Sequence, residues 1–367
     1  MRVPLVDLKA QYLTIKSEID QAMTEVITST TFVGGQFVQK FEDDFAKFTK
    51  SNNVIGVGNG TDALTIALRS LDIPTDSEVI IPANSFIATA EAVSSAGYKV
   101  IFCDVDPLTY LIDLNIVENL INSSTAAIIP VHLYGQMVDM KAIKVLSDKH
   151  GLRVIEDAAQ AHGVAYNGIE VGALSNCACY SFYPGKNLGA FGDGGAVTTN
   201  DNTLANKIRM YANHGRSAKY EHEFEGINSR LDSLQAAILS VKLNYLSKWN
   251  DCRRKAANCY NDLIKELGLQ IPITNDEKRH AYHLYVTQIQ NRDKVVKEMK
   301  THGIGVGIHY PIAIPFLGAY KNLGYHPNDF PVTFKQMHHL ISLPLYPEIT
   351  TKQIHYTVDC LKASLRG

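Results

Sequence analysis

The sequence predicts an α/β protein: a mainly parallel β-sheet covered by helices on both faces, followed by a smaller α+β unit. Three observations carry this. Through its first two thirds the chain alternates short β-branched apolar runs with helical stretches of about three turns. From Arg230 a long helical stretch, RLDSLQAAILSVKLNYLSKWNDCRRKAANCYNDLIKEL, breaks the alternation. Beyond it, AYHLYVTQI, RDKVVKEMKTHG, VGIHYP and two terminal helices mix strand-like and helical pieces.

The elements follow in order. VIGVG (54–58) is an apolar strand that enters a glycine turn. The helix leaving that turn carries Ala63, Leu64, Ala67, Leu68 and Leu71 on one face. VIIP (79–82) precedes the helical FIATAEAVSSAG. KVIFCDVD (99–106) and AAIIPVHLYG (126–135) read as further strands, and DMKAIKVLSDKHG as a helix. RVIEDAA (153–159), CACYSFY (177–183) and GGAVTTN (194–200) complete the set. The expected division is a large unit over 1–245 and a small one over 246–367. In open sheets of this kind ligands sit beyond the carboxyl ends of the strands. The polar residues that follow these runs are thereby gathered in one place.

Composition narrows the partners. Lys and Arg number 35 against 37 Asp and Glu, a net charge of −2 with no basic run, which argues against nucleic acid or an anionic membrane as the main partner. The opening MRVPLVDLKAQYLTIK has charges among its apolar residues, unlike a signal peptide, and no apolar run reaches the roughly 18–20 residues of a bilayer span. A cytoplasmic protein is expected. Cys103, Cys177, Cys179, Cys252, Cys259 and Cys360 form no CxxC pair and read as buried free thiols rather than metal ligands.

Three stretches carry chemistry. In VIGVGNGTDALTIALRSL, free N–H groups and the helix dipole can make an anion site, although a tight turn without a ligand fits the same residues. It departs from a dinucleotide fingerprint, since Thr61 stands at the third glycine position, and from a Walker sequence, since no lysine follows. In VIEDAAQAHG, Asp157 ends an apolar strand, where it is either a charge partner for a ligand cation or a helix cap; Gln160 adds an amide. Alternation puts Glu156 and Asp157 on opposite faces. In SFYPGKNLGAFGDGGAV, Lys186 is either a solvated loop charge or an amine under apolar cover. In the second case its charged form is disfavoured and the amine becomes a nucleophile. A phosphate cradle, a lysine and a strand-end aspartate together are the parts that hold pyridoxal phosphate. Phe86, after another strand, either covers the ring or belongs to the core.

GNGTDAL, PANSFIATA, VHLYGQ, EDAAQAHG, SFYPGKNLGAFGDGGAV, NHG, GINSRLDSLQAAIL and HYP occur in the order of the DegT/DnrJ/EryC1/StrS sugar aminotransferases, and the resemblance spans nearly the whole chain. It implies the aspartate aminotransferase fold: a mainly parallel seven-stranded sheet flanked by helices, with a smaller C-terminal domain. It implies pyridoxal 5'-phosphate as cofactor, with Lys186 condensing with its aldehyde and carrying the proton. Asp157 would partner the pyridinium nitrogen, Gln160 the phenolic oxygen, and Phe86 would stack on the ring. Gly60, Thr61 and Ser181 would hold the phosphate, with Asn228 reaching the phosphate of a neighbouring subunit in a homodimer. Some relatives carry histidine in place of the lysine and are dehydrases; Lys186 favours transamination.

The wording of PANSFIATAEAVS and VHLYGQ resembles members that aminate C3. L-Glutamate would be the donor and a dTDP-3-keto-6-deoxy-hexose of the 3-keto-fucose or 3-keto-quinovose type the acceptor. The product would enter a lipopolysaccharide or S-layer glycan. Tyr183, Lys219, Tyr220, His309 and Tyr310 match substrate contacts, although Tyr183, His309 and Tyr310 equally suit packing; Arg216 and Arg230 are further cations for the anionic substrates. The alternatives are a 4-aminotransferase on a UDP- or dTDP-4-keto sugar and a regulatory homologue without turnover.

Overall fold

The computed structural model describes residues 1–273, 276 and 279–366. Seven strands form the main sheet: Asn53–Val57 (β1), Glu78–Pro82 (β2), Lys99–Cys103 (β3), Thr125–Ile128 (β4), Arg153–Asp157 (β5), Cys177–Ser181 (β6) and Gly195–Thr199 (β7). Their order is β1-β7-β6-β5-β4-β2-β3. All neighbouring pairs are parallel except those made by β7, which runs antiparallel to both β1 and β6. The reason is local: no helix separates β6 from β7, so the chain returns by a loop instead of crossing over.

The strands are buried on both faces, and alternate residues feed two different cores. Val54, Ile80, Val154 and Tyr180 join one apolar cluster. Ile55, Ile81, Ile155 and Cys179 join the other, under the helices Gly60–Ser70 and Ala88–Ser95. The same alternation separates Glu156 from Asp157. Glu156 meets His132 at 2.7 Å, both fully buried, whereas Asp157 meets Thr89 of the Ala88–Ser95 helix.

Two runs read as strands end early. AAIIPVHLYG is a strand only to Ile128; Tyr134 takes a left-handed conformation (φ 59°), and the chain turns across the strand ends. His309 and Tyr310 lie in an irregular segment beside an isolated bridge from Gly307 to Ser342. Both departures share a cause: these segments form the rim of the crevice, where hydrogen bonds go to side chains instead of a ladder.

The helix Ser233–Lys265 runs for 33 residues, about 50 Å. Ala236, Leu239, Leu243 and Leu246 pack on the main sheet, and Ala257, Tyr260 and Ile264 on a second core around the antiparallel pair Tyr285–Gln288 and Leu340–Leu343. The expected boundary at 245 falls inside this helix. Asp104, at the end of β3, accepts the N–H groups of Val332 and Thr333 at 2.9 Å, tying the helix Pro331–Met337 back to the main sheet. No helix among the described residues is long and apolar enough to cross a membrane.

Candidate active site

Beyond the carboxyl ends of β1, β2, β5 and β6 lies a cavity of about 870 Å³. One end is built by the turn from β1 into Gly60–Ser70. Asn59 caps that helix, its side-chain oxygen accepting Asp62 N–H at 2.8 Å. The first N–H groups, at Gly60 and Thr61, have no intrahelical acceptors and face the cavity with the positive end of the dipole. Ser181, at the end of β6, closes in beside them. A Cβ on Gly60 would stand 2.7 Å from Ser181 Cβ, so glycine is what allows the helix start to approach the strand end.

Lys186 sits opposite, in the loop between β6 and β7. Its N–H donates to Tyr183 O at 2.8 Å, closing a tight turn. The loop is pinned from the long helix: Asn187 donates to Asn250 at 2.9 Å, and Lys242 donates to Gly189 O at 2.5 Å. A Cβ at Gly189 would fall 2.3 Å from Pro184 O, so the glycine is required by backbone packing. Burial pushes the Lys186 ammonium down to about 8, against a smaller opposing pull from Asp157. The amine is thus a nucleophile near neutral pH, the property that a solvated lysine lacks.

Asp157 is buried, with Oδ2 accepting the Thr89 hydroxyl at 2.8 Å and Oδ1 accepting Ala159 N–H at 3.1 Å. Gln160 Oε1 accepts the Tyr134 N–H at 2.6 Å, and its Nε2 donates to the Tyr310 hydroxyl at 3.1 Å. The Tyr134 hydroxyl in turn donates to His309 O. Phe86 opens on the cavity, 54% exposed, its ring 5.9 Å from that of Tyr310. Tyr183 also lines the cavity, 61% exposed.

His309 Nδ1 pairs with Ser342 Oγ at 2.7 Å, and burial holds the imidazole down at about 4. His283, also on the wall, is kept neutral by burial and by the Lys186 charge. Both are neutral hydrogen-bonding groups at physiological pH.

The remaining expected residues lie elsewhere on the chain. Lys219 and Tyr220 stand at the tip of an exposed hairpin, Arg216–Ala218 with Glu221–His222, with Tyr220 83% exposed. Asn228, Arg216 and Arg230 are exposed, and none of these five lines the cavity of its own chain. Ser229, between Asn228 and Arg230, is buried and accepts Gly58 N–H at 2.9 Å, so this segment braces the glycine turn. Sequence reasoning passed over Asn59, Ser85, Thr89, Tyr134 and His283. Ser85 and Thr89 lie inside PANSFIATA, and hydroxyls where a strand becomes a helix were the signal available.

The donor set fits pyridoxal phosphate. Helix N–H groups and two hydroxyls converge at one end, a carboxylate and an amide donor line the middle, and an amine of lowered basicity faces them. A profile of the DegT/DnrJ/EryC1/StrS aminotransferase family matches residues 13–362. The chain is 44% identical to a pleiotropic regulatory protein of Geobacillus stearothermophilus, covering 98% of this chain and 97% of the relative. It is 42% identical to the dTDP-3-amino-3,6-dideoxy-alpha-D-galactopyranose transaminase of Aneurinibacillus thermoaerophilus, over 98% of each. Identity is 39% to a UDP-N-acetyl-3-dehydro-alpha-D-glucosamine 3-aminotransferase of Acidithiobacillus ferrooxidans, over 100% of this chain and 98% of that one. Among solved structures, DesV of S. venezuelae in complex with a ketimine intermediate superposes with a TM-score of 0.96 at 38% identity, covering 100% of this chain and 99% of DesV. The chain belongs to the DegT/DnrJ/EryC1/StrS family, whose members depend on pyridoxal phosphate, and is an aminotransferase of that family.

Proposed function

We propose that this sugar aminotransferase uses pyridoxal 5'-phosphate to move the amino group of L-glutamate to C3 of a dTDP-3-keto-6-deoxy-hexose, of the 3-keto-fucose or 3-keto-quinovose type. The observation that carries the reading is the Lys186 amine, of lowered basicity, sharing one cavity with Asp157 and Gln160. When bound, the cofactor supplies an aldehyde for the amine and a protonated ring that draws electrons from the reacting carbon.

The chain's own residues do the rest. Gly60, Thr61 and Ser181 donate to the phosphate. Asp157 holds the proton on the ring nitrogen. Gln160 would donate to the phenolic oxygen through its amide nitrogen, which carries a second N–H beside the one given to the Tyr310 hydroxyl. Phe86 covers the ring and keeps water from it. Lys186 would supply the amine that meets the aldehyde and would serve as the general base and acid for proton transfer, work suited to an amine near 8. Tyr183, His309 and Tyr310 are assigned to the hexose and its nucleotide, with His309 acting as a neutral hydrogen-bonding partner.

Charge supports a second copy of the chain at the site. The cavity wall carries Asp62, Glu91, Asp157 and Asp193 against one lysine and two neutral histidines, yet it has to receive a phosphate, a dicarboxylate and a diphosphate. The exposed Lys219–Tyr220 hairpin, Arg216, Asn228 and Arg230 supply the missing donors if they serve the partner's site in a homodimer. We further assign residues 1–245 to cofactor binding and the remainder to a smaller lobe. Location in the cytoplasm follows from the sugar-nucleotide substrate.

A second reading, a UDP-linked 3-keto sugar as acceptor, is favoured by the A. ferrooxidans relative. The test is amination of purified dTDP-3-keto, UDP-3-keto and 4-keto sugars with L-glutamate as donor. Turnover of the dTDP-3-keto compound is expected; turnover confined to the UDP-3-keto sugar selects the second reading, and turnover of the 4-keto sugars alone overturns both.

A further inference from the structure

Asp157 is held by a hydroxyl pair. Thr89 Oγ1 donates to Asp157 Oδ2 at 2.8 Å, and Ser85 Oγ lies 2.9 Å from Thr89 Oγ1, with all three residues buried. Each hydroxyl has one proton, and a carboxylate has none to offer. Thr89 therefore gives its proton to Asp157, and Ser85 must be the donor in the second contact. Valence alone sets the direction Ser85 to Thr89 to Asp157.

The fold makes this pair available. Asp157 lies on the same sheet face as Ile155, and that face is covered by the helix Ala88–Ser95, which carries Thr89. The Ala159 N–H fixes Oδ1 and Thr89 fixes Oδ2, so the carboxyl plane has a donor on each oxygen. The ionisable groups that feel the Asp157 charge include Lys186 from the β6–β7 loop, Tyr310 from the rim and Cys179 from β6. Burial raises the phenol and the thiol and keeps both neutral, so Lys186 is the cation toward which a released carboxylate would turn.

We propose that Thr89, with Ser85 behind it, is a positioning residue that aims the Asp157 carboxylate at the pyridinium nitrogen and away from Lys186. This rests on the cofactor reading above. Both residues line the cavity wall, and the Thr89 hydroxyl, spent on Asp157, is assigned to act through that carboxylate.

The experiment uses the full chain loaded with pyridoxal phosphate. It follows the pH titration of the visible band of the Lys186-linked cofactor, and the cofactor dissociation constant, in the unsubstituted protein and in Thr89→Val, Thr89→Ser and Ser85→Ala. A misaimed Asp157 leaves the ring nitrogen without its proton, and the linkage nitrogen, no longer facing that positive charge, holds its own proton more tightly. Thr89→Val is expected to move the titration midpoint up by about one pH unit and to weaken cofactor retention about tenfold, the scale of one hydrogen bond to a charged group. Thr89→Ser restores both, and Ser85→Ala moves both in the same direction by less. An unchanged midpoint and retention in Thr89→Val overturns the proposal, as does a shift that Thr89→Ser leaves in place. If Thr89→Val does not fold, Thr89→Ala is judged by the same criteria. An unsubstituted protein that develops no visible band at all overturns the cofactor reading, and this inference with it.

Discussion

Gln160 Oε1 accepts the backbone N–H of Tyr134 at 2.6 Å, and this one contact orients the amide. A backbone nitrogen can only donate, so the side-chain oxygen must face it and Nε2 is left pointing into the cavity, where it reaches Tyr310. Tyr134 can present its N–H there because its backbone turns left-handed at φ 59°. The rim turn therefore decides which atom of Gln160 meets the ligand.

Gln160→Glu removes the Nε2 donor and places an acceptor where the phenolic oxygen of the cofactor would sit. Losing a hydrogen bond to a charged group is worth about 1.5–3 kcal/mol. The cofactor dissociation constant should rise at least about tenfold, read by absorbance titration.

Lys186 titrates at about 8 in the folded chain, below its ordinary 10.5, because burial disfavours the ammonium. The reactive neutral amine therefore predominates above pH 8. The rate of covalent cofactor capture by the cofactor-free protein should climb through pH 8 and level off near 9, where a solvated lysine would still be climbing past 10. Lys186→Ala should abolish both capture and transamination, measured by the visible band and by 2-oxoglutarate release.

Gly60→Ala forces a Cβ to 2.7 Å from Ser181 Cβ, between two backbone elements that cannot both move away. Overpacking of this kind costs about 1–3 kcal/mol. The helix start should be pushed off the β6 end, so cofactor affinity should fall more than chemical-denaturation stability does. The two are read by absorbance titration and by urea unfolding.

The His132–Glu156 pair is fully buried. Its protonation pattern can be read from its partners: Val138 N–H donates to His132 Nδ1 at 3.1 Å, so Nε2 carries the proton shared with Glu156. His132→Leu leaves a carboxylate oxygen buried without its donor. Leaving a buried acceptor without its donor costs about 1–3 kcal/mol, read as a fall in the urea midpoint.

Mixed subunits test the proposal that two chains share a site. A Lys186→Ala chain and a chain lacking the 216–222 hairpin should each be inactive alone. Mixed in equal amounts and allowed to exchange, they should recover about a quarter of the unsubstituted activity, because half the dimers are then heterodimers and one of the two sites in each has both its lysine and its partner's hairpin. No recovery would show that the hairpin does not serve the partner's site, and activity of the hairpin-lacking chain alone would place it outside the active site.

The α/β class, most strands of the main sheet and the gathering of Lys186, Asp157 and Gln160 in one crevice were legible in the sequence, because apolar alternation and glycine turns are local signals and these polar residues follow closely on strands. Local signals could not show that β7 runs backwards, since strand direction depends on how the chain returns, nor that His309 and Tyr310 leave the ladder to form a rim. Tertiary structure also decided what holds the functional groups. Thr89 reaches Asp157 across 68 residues, Tyr134 reaches Gln160 across 26, and Lys242 reaches the Lys186 loop across 53. Those contacts exist because separate elements pack on one sheet edge, and burial makes each polar group take the nearest partner the fold supplies. The sequence by itself determined which chemical groups stand at the strand ends; only the packed structure determined their aim, their neighbours and the depressed basicity of Lys186.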